Sequence, residues 1–231
     1  INPRSKLNPD AKIEFRETEH LFFKLSEFRD VLLEWLSEGK EHWRPSVINF
    51  TRNWLKEGLI DRAVTRDLDW GIEIPRDGYE DKRMYVWFEA VMGYYSASVH
   101  WAKNQGKPDE WKKWWENEDS EHYYFMAKDN IPFHTIIWPA MLSGCGYKLP
   151  YDVPANEYLL LDSSQFSKSR RHAIWIPDYL DRYDPELLRF YLASIMPEQK
   201  DANFTWEDYV TRINTELIGN YGNLMYRVMS F

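Results

Sequence analysis

The chain has 231 residues, enough for one large domain or two modest ones with a real hydrophobic core. Its 44% hydrophobic and 29% charged residues are an ordinary globular composition, and no run of about 18 apolar residues is present to make a conventional transmembrane helix. The net charge of -8 argues against a surface built for nonspecific nucleic-acid binding, and the single cysteine, Cys145, excludes an internal disulfide or a Cys-rich zinc knuckle, so a cytoplasmic location is expected.

Residues 1–20 are polar and turn-rich, with Asn2-Pro3 and Asn8-Pro9 as breakers, and read as a connector entering a fold. No apolar segment follows Ile1 to Lys6, so the opening is no signal peptide. It begins without methionine, as a fragment or a processed product would. Residues 26–36 are expected to form a helix, with Leu25, Phe28, Val31, Leu32 and Trp35 at helical spacing, Ser26 as N-cap and Gly39 as stop. A second helix is expected over 45–55, opened by Pro45 and ended near Gly58.

The aromatic run 84–88 reads as a buried strand, followed by a helix over 94–101. The run 122–126 reads as another, followed by the polar turn Lys128-Asp129-Asn130 and a helix over 133–142; residues 153–161 make a third strand candidate. This order predicts an α/β fold with a mostly parallel sheet, in which ligands sit beyond the carboxyl ends of the strands. Residues 87–94 and 129–134 therefore fall beside a pocket. Residues 179–196 are helical and amphipathic, and 206–231 read as the opening helix of an all-α module. Aromatic residues make up 17% of the chain, 12 of them Trp; most are expected in the core, some around a flat or apolar ligand.

The segment Gln165-Phe166-Ser167-Lys168-Ser169-Arg170-Arg171 is a short basic, hydroxyl-rich loop. Lys168, Arg170 and Arg171 suit a phosphate, and Ser167 and Ser169 can donate to it, while a solvated surface loop is the plainer reading. It is not a P-loop, because no G-x-x-x-x-G-K-[ST] occurs.

The spacing resembles the second signature of class I aminoacyl-tRNA synthetases, Lys-Met-Ser-Lys-Ser, with Lys168 as the second lysine, Gln165 in place of the first and Phe166 in the apolar position. Its surroundings resemble methionyl-tRNA synthetases over nearly the whole chain. Tyr85-Val86-Trp87-Phe88-Glu89-Ala90-Val91-Met92-Gly93-Tyr94 is similar to that family's Tyr-Val-Trp-Phe-Asp-Ala-Pro-Ile-Gly-Tyr. Phe125-Met126-Ala127-Lys128-Asp129-Asn130 is similar to Phe-Ile-Gly-Lys-Asp-Asn, and Phe133-His134-Thr135-Ile136-Ile137-Trp138-Pro139 continues it. Thr65 to Gly71, Asp184 to Leu192, Arg212-Ile213-Asn214 and Gly222-Asn223-Leu224 extend the match.

The resemblance implies the C-terminal part of the catalytic core. Residues 1–20 would leave the connective insertion, and 21–155 would be the second half of a Rossmann-like nucleotide-binding fold. Residues 156–205 would be a stem-contact region with the signature loop at 165–169, and 206–231 the start of the anticodon-binding helical domain. It places Trp87, Ala90, Tyr94 and His134 in a methionine pocket, whose aromatic walls suit a thioether. It places Asp129 at the ATP ribose, assisted by Glu73, with Arg66 near the ATP or methionine carboxylate and Asn156 and Tyr158 on the strand passing the adenine. Lys168, Ser167 and Ser169 would act on the phosphates. Methionine, ATP with Mg2+, and tRNA(Met) are then the expected partners, with a separate N-terminal half as a further candidate and no structural zinc in this part.

The family's first ATP signature, His-Ile-Gly-His, does not occur in the sequence, so little activity is expected of this chain alone. Glu89, Val91, Ala127, Ser163 to Gln165 and Arg171-His172-Ala173 depart from the family pattern, replacing among others a pocket proline and hinge glycines. These changes sustain the alternative of a noncatalytic relative that binds tRNA, methionine or a protein partner.

Overall fold

The computed structural model describes residues 13–231, so most of the connector expected over 1–20 lies outside the described residues. The chain enters through β1 (Phe22–Phe23), which pairs antiparallel with β2 (Arg62–Ala63). Between them lie a 3-10 turn at Leu25–Phe28, α1 (Arg29–Ser37) and α2 (Pro45–Glu57). Both helix ends expected from Pro45 and Gly58 are present: the proline opens α2, where its missing N–H costs nothing, and Gly58 ends it at φ +96. Ser26 is not the helix cap. Its hydroxyl and its backbone N–H donate to Asp61 Oδ1 at 2.6 and 3.1 Å, tying the first turn to the segment before β2, and α1 begins only at Arg29.

The strands β3 (Thr65–Asp67) and β4 (Lys82–Met84) form an antiparallel pair. The run 84–88, expected to be a strand, turns into a helix instead. The Tyr85 N–H still bonds outward to the Val64 carbonyl at 2.8 Å, but the Tyr85 carbonyl accepts the N–H groups of Phe88 and Glu89 at 2.9 and 3.2 Å. From there α3 (Val86–Glu89), a 3-10 turn at Ala90–Met92 and α4 (Gly93–Asn104) run almost continuously. A short apolar run does not by itself distinguish strand from buried helix, and here helical spacing prevails. The short helix α5 (Lys112–Trp115) follows.

Only the end of the run 122–126 is a strand, β5 (Met126–Ala127), parallel to β6 (Ala155–Asn156), with an isolated parallel bridge upstream at Tyr123 and Asp152. A 3-10 turn at Lys128–Asn130, a π-helical stretch at Phe133–Ile137 and α6 (Trp138–Gly144) connect the two. The run 153–161 is divided into β6 and β7 (Leu159–Leu161). β7 pairs antiparallel with β8 (Ser164–Gln165) and parallel with β9 (Ala202–Phe204). Between β8 and β9 lie α7 (Ile176–Leu180) and α8 (Pro185–Ser194). The single helix expected over 179–196 is thus two, because Pro185 cannot continue a helix and Asp184 caps the second by accepting the Glu186 N–H at 2.8 Å. The chain continues through α9 (Trp206–Arg212), a π-helical stretch at Ile213–Gly222 and α10 (Asn223–Met229).

The fold is α/β with small sheets. The mostly parallel sheet expected from the sequence is not formed among the described residues: four small sheets carry two parallel pairs, β5–β6 and β7–β9, and three antiparallel ones. Strands of two or three residues bury too little to read as continuous apolar runs, so the runs overstate their length. Among the described residues no helix is long and apolar enough to cross a membrane.

One core joins α1 and α2 to the segment after β5, through Leu32, Leu36, Val47, Leu55, Ile131, Ile136 and Ala140. Inside it Thr51 donates to the Val47 carbonyl at 2.8 Å and meets the Thr135 hydroxyl at 2.9 Å, so its polar atom is satisfied. A second core, around Tyr179, Tyr191, Phe204 and Tyr209, holds α7, α8 and α9 on β9. Leu32 is 0% exposed in the first core. Leu32→Ala is expected to lower the unfolding free energy by about 2–5 kcal/mol in urea melts, since transfer and cavity costs add.

Candidate functional site

Trp87, Ala90 and Tyr94 recur three and four residues apart along α3–α4, on one helix face. Trp87 and Tyr94 are 54% and 44% exposed, and Ala90 between them is exposed as well. His134, only 5% exposed, faces this stripe from the π-helical stretch after β5. Its Nδ1 lies 2.9 Å from the Asn130 carbonyl and its Nε2 2.8 Å from the Tyr94 hydroxyl. A carbonyl can only accept, so Nδ1 carries the proton and Nε2 accepts from Tyr94. Burial holds the imidazole below its ordinary pKa, against the opposing pull of the Asn130 carbonyl, which keeps the ring neutral.

Tyr124 fills the space behind. Its ring centroid lies 5.0 Å from that of Tyr94 and 5.6 Å from that of His134, and its hydroxyl accepts from Trp138 Nε1 at 2.9 Å. Burial pushes the Tyr124 hydroxyl up to about 12. Trp87 reaches the group through Phe133, 6.1 Å away between centroids. The result is a neutral cup of aromatic rings with one imidazole in its wall.

Asn130 links the cup to the turn after β5. Asp129, one residue earlier, is exposed and accepts from Asn130 Nδ2 at 3.2 Å; it caps no helix. Asn156 stands opposite Ala127 in the β5–β6 register, and its Oδ1 accepts from Arg44 Nη1 at 2.7 Å. Lys128 Nζ donates to Glu157 at 2.5 Å and Asp201 at 2.9 Å, and lies 4.4 Å from the centre of the Tyr158 ring. Asp129, Asn156 and Tyr158 therefore gather at the carboxyl ends of the parallel pair, where an α/β sheet presents its ligand groups.

Arg66 and Glu73 sit apart from that group. They line a cleft of about 870 Å³ with Trp70, Arg83, Tyr85 and Val86. The Arg66 guanidinium lies 3.9 Å from the centre of the Tyr85 ring, and its Nη1 donates to the Ala63 and Thr65 carbonyls at 3.0 and 2.8 Å. The cleft adjoins the cup through the shared helix, Val86 being next to Trp87 in the chain, and through a smaller cavity that Arg66 and Tyr85 line together with Phe133.

Ser167, Lys168 and Ser169 follow β8, the second strand of a hairpin with β7. Asp162 and Ser163, at φ +47 and +65, make its two-residue turn, which has the left-handed geometry that suits the twist of the flanking strands. Beyond β8 the chain folds back on itself, with Ser167 N–H to the His172 carbonyl at 2.9 Å and His172 N–H to the Ser167 carbonyl at 3.0 Å. Lys168 is exposed and enters no ion pair among the described residues. No hydrogen bond among those residues joins the loop to Asp129, Tyr94 or His134.

The family model for class I tRNA synthetases (M) matches residues 1–229. The chain belongs to that family. It is 58% identical over 218 residues to the methionine–tRNA ligase of Dehalococcoides mccartyi, covering 94% of this chain and 39% of that protein. It is 53% identical over 233 residues to the enzyme of the same name from Thermomicrobium roseum, covering 100% of the chain and 40% of the relative. The methionyl-tRNA synthetase of Mycobacterium tuberculosis in complex with methionyl-adenylate superposes with a TM-score of 0.75 at 27% identity, over 91% of this chain and 40% of that one. The chain thus spans about 40% of the length of the curated relatives it matches.

Tyr124, Lys128, Glu157, Asp201 and Arg44 were not among the site residues expected of this synthetase-family chain. Lys128 precedes the expected Asp129 and Tyr124 lies inside the apolar run 122–126, so a lysine beside Asp129 and a polar group in an apolar run were the available signals. Glu157 lies between the expected Asn156 and Tyr158, whereas Asp201 and Arg44 are brought in only by tertiary contact.

Two outcomes follow from His134. Tyr94→Phe leaves a buried acceptor unpaired and is expected to cost about 1 kcal/mol of stability in denaturant melts, the low end because Tyr94 is partly exposed. His134 is held neutral in the folded state and binds a proton more readily when unfolded. Its contribution is therefore complete above the ordinary histidine value of 6.5 and is lost as pH falls below it. Melts at about pH 7.5 and about pH 5.5 are expected to differ more for the native chain than for His134→Gln; equal differences would contradict the assignment.

Proposed function

We propose that the chain supplies the methionine pocket, the ribose-side contacts and the phosphate loop of a methionine–tRNA ligase. The observation that carries this is the neutral cup of Trp87, Tyr94 and His134, bonded through Asn130 to the turn that bears Asp129. A methionine side chain is unbranched, uncharged and polarisable, and gains contact with aromatic edges without needing a charge to balance it. Tyr94 and His134 satisfy each other, so an apolar ligand entering beside them leaves no polar group stranded. Ala90, small and exposed, leaves room at the mouth.

In the proposed reaction a methionine carboxylate oxygen attacks the α-phosphorus of ATP in line. The new P–O bond forms as the bond to the β,γ-phosphates breaks, giving methionyl-adenylate and pyrophosphate. Lys168 with the Ser167 and Ser169 hydroxyls stabilises the charge that moves onto the departing phosphates. Asp129 accepts the ribose hydroxyls, Asn156 and Tyr158 border the adenine, and Arg66 and Glu73 attend the carboxylate and ribose from the neighbouring cleft. A hydroxyl at the tRNA(Met) 3′ end then attacks the adenylate carbonyl and releases AMP. The solved M. tuberculosis relative with methionyl-adenylate supports an adenylate as the ligand class.

Among the described residues no three His, Cys, Asp or Glu side chains converge as a metal-binding set. The side chains of the loop are a lysine and hydroxyls, which suit phosphate oxygens and not a cation. In this reading the Mg2+ enters with the ATP phosphates. In the same reading residues 21–155 are the second half of a Rossmann-like fold, 156–205 a stem-contact region and 206–231 the start of a helical tRNA-binding module, working in the cytoplasm.

The folded-back loop favours a second reading. Arg171 at φ +54 and the paired Ser167 and His172 give a closed hairpin without glycine, as a noncatalytic methionine- or tRNA-binding relative would tolerate. Calorimetric titration with methionine, leucine serving as control, tests the pocket. Selective heat from methionine is expected; none from a demonstrably folded chain would remove the pocket and leave the noncatalytic reading. Methionine-dependent pyrophosphate exchange by this chain alone is expected to stay near background, since half of the family's ATP signatures are not in the sequence; robust exchange would refute that.

A further inference from the structure

The residue before Asp129 is the most heavily engaged cation near the site. Lys128 donates to Glu157 at 2.5 Å and to Asp201 at 2.9 Å, and its ammonium lies over the Tyr158 ring. Asp201 Oδ1 also accepts the Tyr158 backbone N–H at 2.9 Å, fixing where β9 begins. Two residues on, Asn203 Oδ1 accepts the Ser163 N–H at 2.6 Å, and its amide approaches the Ser163 hydroxyl at 3.4 Å. The Phe204 carbonyl accepts the Asp162 N–H at 3.0 Å. The turn of the signature hairpin is thus bonded to β9, and β9 is bonded to Lys128.

We propose that Lys128 is a positioning residue: through Asp201 and Asn203 it holds the hairpin that carries Ser167, Lys168 and Ser169 in register with the Asp129 turn. The inference rests on the reading of that hairpin as the phosphate loop. Its physical content is a single strap. Lys128 sits in the 3-10 turn with Asp129, so moving either end of the strap moves the other. Asp162 and Ser163 are both held at positive φ without being glycine, which an unsupported turn resists, and the Asn203 contact supplies the support. The Lys128–Glu157 pair is part-buried and the Lys128–Asp201 pair is exposed, so the strap draws its strength from one ammonium shared by two carboxylates and not from burial.

Hydrogen exchange of the whole chain, without nucleotide, tests the strap independently of whether ATP binds. Lys128→Met, which keeps the stem and removes the charge, is expected to raise exchange across residues 160–172 by about five- to tenfold, with α2 unchanged. Lys128→Arg is expected to restore most of the protection, which a loss of packing alone would not allow. Asn203→Leu is expected to open the same segment, and the double variant Lys128→Met/Asn203→Leu to open it no further than the more exposed single variant, because both cut one strap. Should Lys128→Met also loosen α2, Asp201→Asn, which keeps an acceptor for the Tyr158 N–H, takes its place in the cycle. Unchanged exchange in the hairpin, Arg behaving as Met, or additive effects in the double variant would overturn the proposal.

Discussion

The geometry of the site depends on one buried imidazole. His134 is bonded at both nitrogens, on one side to the carbonyl that ends the β5 turn and on the other to a hydroxyl on α4. An apolar residue in its place would leave the Asn130 carbonyl and the Tyr94 hydroxyl to find water, and the turn and the helix would lose their common reference. Because the ring is neutral, it does this without bringing charge into an aromatic wall, where desolvation makes an unpaired ion expensive. The tautomer is dictated by the backbone, since only Nδ1–H satisfies the carbonyl. The Tyr94 hydroxyl is thereby turned into a donor toward His134.

The aromatic wealth of the chain divides into two kinds of use. Trp43, Trp115 and Trp138 are buried, and the indole N–H groups of Trp43 and Trp138 are met by the Tyr151 carbonyl and the Tyr124 hydroxyl at 2.6 and 2.9 Å. These behave as core residues whose polar atoms must be paired. Trp70 and Trp87 are 87% and 54% exposed and line, respectively, the large cleft and the mouth of the cup. Their faces are open to a ligand in the way the proposed function requires, although single exposed rings are common on this chain.

Much of this was legible in the sequence, and the failures have causes. Pro45 and Gly58 marked the ends of α2 because their constraints are local and act whatever surrounds them. The pairing of Tyr94 with His134, forty residues away, was reachable only through family resemblance, since spacing along a helix says nothing of what faces it. Ser26 was misread as a cap because Asp61, thirty-five residues away, offers its hydroxyl a better acceptor than the helix does. The run 84–88 was misread as a strand because buried strands and buried helix starts share a composition; the choice is made by Val64 and Ile72, whose carbonyls take the Tyr85 and Met84 N–H groups and end the ladder there. The strap of Lys128, Asp201 and Asn203 left no pattern in the sequence at all.

The hairpin shows how missing glycines change the mechanics of a loop. The sequence departs from the family at the residues where glycine would provide a hinge, and the backbone nevertheless keeps positive φ at Asp162, Ser163 and Arg171. Each costs on the order of 1 kcal/mol relative to glycine, offset here by bonds to β9 and by the His172 ring, which meets the Leu161 carbonyl at 2.8 Å. Torsions held in a narrow left-handed well by several bonds do not flex easily. If such a loop is to close on a phosphate, as the proposed function requires, it must move as a unit, with β7, β8 and β9 carried along, and not by bending at its tip. Glu157 and Tyr158, in the connection between β6 and β7, are held by Lys128 and Asp201, so the unit is tied at its base to the turn that bears Asp129.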